Sequence, residues 1–287
     1  MAIQLCGTRV AAVIGGLCIG MQFVGCLYVC TSGSPQDRDD PRVIKQRFLR
    51  VGIASVIAPL LMLFSSGLAG GRCTQTEPLL RWFGLWPSSF AHCCTSLLLP
   101  LLLTALLFLG PLTMHALDSS HSLRKRLQLA MGRSRGCELQ IVRNLLIGPL
   151  SEEWVFRACT CPLLYAAGLS EGSNVLLASL IFGAAHLHHR LAGFSWAVVG
   201  VQFSYTSLFG AYSSYLFLRT GQLIGPFFAH SFCNLMGLPD FKRVPHHPHA
   251  RLLTAAFICG ISCFALLLAA DLRWRPRIFD SLYWNEE

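Results

Sequence analysis

Long apolar runs recur along the whole chain, and short polar segments separate them. A helix that spans a bilayer needs about 20 predominantly apolar residues. Stretches of roughly that length occupy residues 9–30, 48–69, 90–113, 139–168, 173–189, 193–218, 222–238 and 252–270. Only 13% of the residues are charged, about half the share that is usual in a soluble domain. The sequence therefore predicts an all-α, polytopic integral membrane protein with about eight transmembrane helices, and it excludes an ordinary soluble enzyme and a disordered chain.

The apolar runs divide the chain into three parts. Residues 1–138 hold the N-terminal transmembrane helices and end in a basic segment, 117–138, that is expected to lie on the membrane surface. Residues 139–270 form a helical core, and residues 271–287 form a polar C-terminal tail. The first apolar run is longer than the core of a signal peptide, so we expect it to be retained as a helix.

The basic residues lie in small clusters between the apolar runs rather than in one stripe. The clusters are Arg42, Lys45, Arg47 and Arg50; Arg124, Lys125, Arg126, Arg133 and Arg135; and Lys242, Arg243 and Arg251. This pattern is typical of loops that orient a membrane protein, and we expect no binding of nucleic acid. With eight spans, fifteen of the 23 Lys and Arg residues fall on one side, which predicts that this side faces the cytosol and that both termini lie opposite.

Most of the 13 cysteines lie inside apolar runs. Their spacing matches neither a zinc ribbon nor a redox Cys-x-x-Cys motif. Buried free cysteine behaves as a small hydrophobic residue, so we interpret these cysteines as reduced packing residues.

The acidic residues are almost all in loops, in the tail or at the ends of spans. Only Glu152 and Glu153 lie well inside a predicted span. An ionisable group at the centre of a membrane helix costs at least ~2.5–3.5 kcal/mol, so it indicates a functional site. Arg157 lies four residues after Glu153, on the same helical face, which predicts an ion pair. Glu152 then points elsewhere and needs a partner from another helix.

Histidines on later apolar helices are the candidate partners. His186 ends the fifth span, while His230 and Asn234 lie one turn apart in the seventh and share a face. Two other protease signatures are absent from the sequence: there is no HExxH motif and no aspartate in the middle of a span. One site that combines Glu152, His186, His230 and Asn234 is the resulting hypothesis.

These residues form three motifs in a fixed order. Glu152-Glu153-Trp-Val-Phe-Arg157 matches EExxxR, Phe182-Gly-Ala-Ala-His186 matches FxxxH, and His230-Ser-Phe-Cys-Asn234 matches HxxxN. On successive apolar helices, the set resembles the type II CAAX prenyl endopeptidases, the Ras-converting enzymes of the broader ABI/CPBP membrane-protease family. The likeness covers about residues 139–240, and outside that range it depends on hydropathy alone.

The resemblance implies a protease of the endoplasmic reticulum membrane with an eight-helix core and an active site open to the cytosol. It would remove the last three residues of farnesylated or geranylgeranylated CAAX proteins, such as Ras and Rho type small GTPases, without a cofactor. By the same analogy, Glu152 activates water with help from His186, and His230 and Asn234 stabilise the oxyanion. Glu153, Arg157 and Phe182 would support them.

Three alternatives use the same residues. One carboxylate and two histidines are also the ligand set of catalytic zinc proteases. Glutamates, Arg157 and histidines inside a membrane also occur in the proton relays of transporters, although the chain lacks the repeat symmetry that usually marks transporters. A non-catalytic membrane scaffold of the same superfamily is the third alternative.

Overall fold

The computed structural model describes residues 1–28, 39–118, 137–190, 193–274 and 278–284. Its helices are α1 (Arg9–Tyr28), α2 (Pro41–Ala69), α3 (Leu79–Trp82), α4 (Phe90–Leu107), α5 (Leu109–Leu117), α6 (137–166), α7 (Glu171–Ala185), α8 (Trp196–Thr220), α9 (Ile224–Met236) and α10 (Ala250–Trp274). Short 3₁₀ turns cover His186–Arg190 and Val244–His246. The strands are β1 (Ala2–Ile3), β2 (Cys6–Gly7), β3 (Arg72–Cys73) and β4 (Glu77–Pro78). The prediction of an all-α protein is thereby confirmed.

Helix α6 is continuous but changes its winding. Its α-helical parts, Cys137–Ile141, Gly148–Glu153 and Thr160–Ala166, are separated by the π-helical turns Val142–Ile147 and Trp154–Cys159. π-helical turns are rare in proteins, and where they occur they often lie at functional sites. The two candidate glutamates end the α-helical part between the two π turns.

Polar side chains fix where several helices begin. Asp40 caps α2, and Ser89, Ser170 and Ser195 cap α4, α7 and α8; each accepts a hydrogen bond from a backbone N–H in the first turn. A cap of this type stabilises a helix by about 1 kcal/mol, because it satisfies a donor that has no partner within the helix.

Small residues let α1 approach the helices that carry the site. A Cβ atom on Gly16 would lie 3.0 Å from Ile181 of α7 and 3.2 Å from Thr160 of α6. Next to this contact, the rings of Phe23 and Phe156 meet edge to face at 5.6 Å. Helices α6 and α7 are therefore held against the N-terminal helix at the level of the candidate site.

Four of the described helices are long and apolar enough to cross a membrane: Arg9–Tyr28, Pro41–Gly67, Phe90–Leu107 and Ala250–Trp274. Their outer faces expose large apolar side chains, such as Leu60, Phe64, Leu98 and Leu266. This surface suits contact with lipid and supports a polytopic membrane protein. The count of about eight transmembrane helices stays a prediction.

One end of the helices, which we call the terminal face, is formed by residues 1–8, 71–86 and 278–284. Strand β1 pairs with β4, and β2 pairs with β3. Arg81 bridges to Asp280 at 3.0 Å, and Tyr283 is buried beside Trp82. The region predicted as a polar tail, 271–287, thus begins as the last turn of α10 and continues, over residues 278–284, as part of the packed terminal face.

The prediction that the cysteines are reduced is wrong for one pair. Cys6 and Cys73 form a disulfide, because the antiparallel pairing of β2 with β3 places them directly opposite each other. Nine cysteines in the described helices are free: Cys18, Cys26, Cys93, Cys94, Cys159, Cys161, Cys233, Cys259 and Cys263. The predicted surface segment 117–138 lies outside the described residues for most of its length, at 119–136.

Removal of this disulfide is expected to destabilise the terminal face. It joins residues 67 positions apart, and closure of a loop of that size is worth on the order of 4 kcal/mol in the chain-entropy account. We expect Cys6→Ser to lower the melting temperature of the detergent-solubilised protein, and Cys18→Ser, which removes an exposed free thiol, to leave it unchanged. Labelling of both Cys6 and Cys73 by maleimide in the unfolded, unreduced protein would contradict the pairing.

Candidate active site

Glu153 is the most enclosed charged residue of the site. Its side chain has no exposed surface, and it contacts three partners on three helices. Oε2 lies 3.2 Å from Nε of Arg157 and accepts a hydrogen bond of 2.5 Å from Ser213 of α8. Oε1 lies 2.7 Å from Nδ1 of His230 on α9. Glu153 therefore ties α6, α8 and α9 together at one point.

Arg157 completes this buried pair. The predicted contact between Glu153 and Arg157 is confirmed, although the residues after Glu153 wind as a π turn. A π turn closes its hydrogen bonds between residues five apart, so residues four apart stay neighbours. The guanidinium carbon lies 4.4 Å from the centre of the Phe182 ring, a distance at which a cation and an aromatic face attract each other.

Glu152 has a different environment. Its side chain is 27% exposed and lines a cavity of about 1260 Å³. Its Oε2 atom lies 3.8 Å from Nε2 of His230, so the partner from another helix that the sequence required is present. The two adjacent glutamates thus point in different directions, one into a sealed contact and the other into open space.

His186 is held at the junction between α7 and the following 3₁₀ turn. Its Nδ1 atom lies 2.9 Å from the carbonyl oxygen of Phe182, and its ring contacts the Phe182 ring at 4.8 Å. A nitrogen that faces a carbonyl oxygen carries the proton, so in the neutral ring Nε2 is the atom that accepts one. His186 lines the same cavity as Glu152.

His230 and Asn234 both line the cavity from α9. Nδ1 of His230 donates to Glu153, and its Nε2 faces Glu152. Nδ2 of Asn234 donates to the carbonyl oxygen of Asn144 at 2.9 Å. An amide group has two N–H bonds, so a second donor of Asn234 can serve a bound ligand.

Phe182 packs against several residues of the site at once. Besides the Arg157 guanidinium and the His186 ring, its ring meets the ring of His230 at 6.4 Å. The structure therefore brings together all the residues that the sequence selected: Glu152, Glu153, Arg157, Phe182, His186, His230 and Asn234.

Two residues of the site were missed by the sequence analysis. Ser213 donates to Glu153, and Phe209 packs on His230 with ring centres 4.6 Å apart. Both lie on α8, which carries several serines and aromatic residues at similar intervals. Nothing in the local pattern distinguishes Ser213 from Ser207 or Ser214.

Side chains from two pairs of helices line the cavity beyond the glutamates, and we call each group an arm. One arm, the α8–α10 arm, is lined by Tyr212, Phe264, Leu268 and Leu272. The other, the α1–α2 arm, is lined by Phe23, Leu27, Arg47, Phe48 and Val51. Within the described residues, no group of three or more His, Cys, Asp or Glu side chains is arranged to hold a metal ion.

Comparison with known proteins gives a consistent result. The sequence profile of the family described as type II CAAX prenyl endopeptidase Rce1-like matches residues 136–236. The chain is 39% identical to CAAX prenyl protease 2 of Homo sapiens over 94% of this chain and 83% of that protein. It is 31% identical to CAAX prenyl protease 2 of Arabidopsis thaliana, over 78% and 76% of the two chains. No solved structure matches the chain.

Identical substitutions at the two neighbouring glutamates are expected to differ in their effect on stability. Glu153→Gln leaves the buried charge of Arg157 without its counter-ion, and loss of one partner of a buried pair typically costs about 3–5 kcal/mol. Glu152→Gln changes a group that faces the cavity, so we expect the melting temperature in detergent to fall for Glu153→Gln only. An equal fall for Glu152→Gln would contradict this division.

Proposed function

The chain belongs to the type II CAAX prenyl endopeptidase family, and we propose that Glu152 is the base that activates water in its reaction. The protein is a multi-pass membrane endopeptidase that removes the terminal AAX tripeptide from prenylated CAAX proteins. The observation that carries the proposal is the contrast between the two glutamates: Glu153 is sealed by three partners, while Glu152 lines the cavity with His186 and His230.

Water is activated between Glu152 and His186. The water molecule gives a proton to Glu152 while its oxygen attacks the carbonyl carbon of the prenylated cysteine. His186 holds the water through Nε2, because its Nδ1 is fixed on the carbonyl oxygen of Phe182. A positioned base of this kind typically contributes 10²–10⁴-fold to the rate.

The developing oxyanion receives hydrogen bonds from His230 and Asn234. Nδ1 of His230 is held by Glu153, which aims Nε2 at the cavity. Because Nδ1 already donates to Glu153, donation from Nε2 as well requires a His230 ring with a proton on each nitrogen. The second N–H of Asn234 is the other donor, and one donor of this type is typically worth ~2.7–4 kcal/mol.

The reaction ends when Glu152 returns its proton to the leaving nitrogen. The peptide bond after the prenylated cysteine breaks, which releases a free tripeptide and leaves a carboxylate on the cysteine. The oxyanion re-forms the C=O bond as the C–N bond breaks, and the remaining hydroxyl proton passes to the released amino group, so that the products are a carboxylate and an ammonium group. The enzyme thereby regains its initial protonation state.

The α8–α10 arm suits the prenyl chain of the substrate. Its wall is apolar, and an isoprenoid gains about 0.8 kcal/mol for each buried CH₂ group. We infer that farnesylated and geranylgeranylated proteins, with Ras and Rho type small GTPases among them, are the substrates. The lipid enters this arm while the peptide bond lies against Glu152.

A decisive experiment is cleavage of a farnesylated CAAX peptide by the purified full-length protein. We expect Glu152→Gln to lose at least about 100-fold in kcat/KM, because the base is removed. Glu138→Gln removes an exposed carboxylate from the same helix and should leave the rate unchanged. The unprenylated peptide should be a poor substrate for the wild type.

Near-normal turnover by Glu152→Gln would overturn the assignment. A zinc mechanism with Glu152, His186 and His230 as ligands is the second candidate, since this is a known catalytic ligand set. The same cleavage assay, combined with a measurement of bound zinc, distinguishes the base mechanism from the zinc mechanism. We expect stoichiometric zinc to be absent from the active protein and o-phenanthroline to have no effect on turnover. Zinc at one ion per chain, with inhibition by the chelator, would favour the metal mechanism.

We place the protein in the endoplasmic reticulum membrane, with the terminal face in the lumen and the cavity open to the cytosol. The disulfide between Cys6 and Cys73 supports this orientation, because disulfides persist in oxidising compartments. The bias of Lys and Arg toward the other face supports it as well.

The orientation predicts where an added glycosylation site is modified. An Asn-x-Ser acceptor on a spacer at the N-terminus should be glycosylated, because it lies in the lumen. The same insert in the loop 239–249, at the opposite end of the helices, should remain unmodified. The reverse pattern on a gel-shift assay would contradict the orientation.

A further inference from the structure

A glycine and a proline lie where helix α6 changes its winding, just before the two glutamates of the site. The π turn Val142–Ile147 ends at Gly148, whose N–H donates to the carbonyl oxygen of Arg143, five residues earlier. A Cβ atom on Gly148 would lie 2.7 Å from that oxygen, so glycine is the residue that fits this close approach. Pro149 follows and is buried. The chain therefore enters the site through a wide turn that is followed by a proline.

Pro149 removes a helical donor from two backbone carbonyl groups. A proline has no N–H, so it cannot donate to the carbonyl group four residues earlier, as in an α-helix, or five residues earlier, as in a π turn. These carbonyl groups belong to Leu145 and Asn144. The N–H of Gly148, the α-helical donor for Asn144, is already bonded to Arg143. The proline ring also crowds the carbonyl group four residues earlier, which opposes tightening of the turn to α-helical winding.

Each of these two carbonyl groups accepts a hydrogen bond from a side chain of α9. Oγ of Ser231 donates to the carbonyl oxygen of Leu145 at 2.7 Å. Nδ2 of Asn234 donates to the carbonyl oxygen of Asn144 at 2.9 Å. Ser231 and Asn234 are three residues apart, so they lie on one face of α9. The carbonyl groups that Pro149 leaves open are thus the ones that hold this face of α9.

The bond to Asn144 fixes the orientation of the Asn234 amide. A carbonyl oxygen only accepts hydrogen bonds, so the nitrogen of the amide, and not its oxygen, faces Asn144. A reversed amide would turn Oδ1 toward the position of the oxyanion and repel its charge. An oxyanion donor is most effective when it is fixed before the charge develops, because no reorganisation is then needed. The carbonyl group of Asn144 supplies this fixation.

We propose that Pro149 is a positioning residue for the oxyanion: it keeps the carbonyl group of Asn144 open, and this carbonyl group orients the amide of Asn234. The inference rests on the proposed function and goes beyond it, since it assigns a role in the reaction to a residue that acts through another. An N–H at position 149 would give the carbonyl group of Asn144 a donor from its own helix and would let the turn tighten. The amide of Asn234 would then lose its fixed orientation.

The test is a double-mutant cycle between Pro149→Ala and Asn234→Ala, with the farnesylated CAAX peptide as substrate. We expect Pro149→Ala to lower kcat about tenfold and to change KM less than about twofold, because the donor acts on the transition state and not on the bound peptide. Asn234→Ala should lose ~100-fold or more in kcat, because the donor is removed. The double variant should be no slower than Asn234→Ala alone, because Pro149 then has no amide to position.

Pro162→Ala is the matched control. Pro162 is a second buried proline of α6, and it lies beyond residues 142–153, the part of this helix that packs against α9. We expect Pro162→Ala to keep the wild-type kcat. Alanine is a good helix former, so both single proline variants should fold, which their melting temperatures in detergent check.

Three results would overturn the proposal. In the first, Pro149→Ala lowers kcat by the same factor in the wild type and in the Asn234→Ala background, which indicates a general disturbance of the site. In the second, Pro149→Ala keeps the wild-type kcat. In the third, Asn234→Ala has near-normal turnover, which also removes the oxyanion role of Asn234. Failure of the proposed base is recognised separately, because near-normal turnover by Glu152→Gln contradicts that assignment and does not alter the cycle.

Discussion

One buried carboxylate, that of Glu153, fixes the position of three helices. It has no exposed surface, and its two oxygens are shared among Arg157 on α6, Ser213 on α8 and His230 on α9. A charge at this depth is stable only while its partners are in place. The register of α8 and α9 against α6 therefore depends on this contact, and so does the orientation of His230.

The same contact explains how two adjacent glutamates acquire different environments. The carboxylate of Glu153 is buried in contacts that hold the helices together. Glu152, one residue earlier, points into the cavity, where its Oε2 atom faces Nε2 of His230. His230 bridges the two, since its Nδ1 is bound to Glu153. The buried pair thus orients the histidine that faces the carboxylate of Glu152, and Phe182 packs over Arg157 and His186 to hold both in place.

The wall of the cavity differs in composition from one part to another. The α8–α10 arm is apolar, the centre carries the carboxylate and histidines, and the α1–α2 arm is apolar except for Arg47. At the other end of the helices, the disulfide and the buried Tyr283 join both termini to the segment 71–86. This terminal face holds the ends of α1, α2 and α10 together, and these helices form the outer walls of both arms.

The sequence by itself determined which polar groups to expect in the site. Hydrocarbon tolerates few charges, so Glu152, Glu153 and Arg157 stood out, and their helical spacing assigned Arg157 to Glu153 correctly. Only the tertiary structure decided which groups meet across helices. Ser213 resembles the other serines of α8, and the Cys6–Cys73 pair depends on two short strands 67 residues apart. Such contacts depend on the rotation and register of packed elements, which local sequence patterns do not encode.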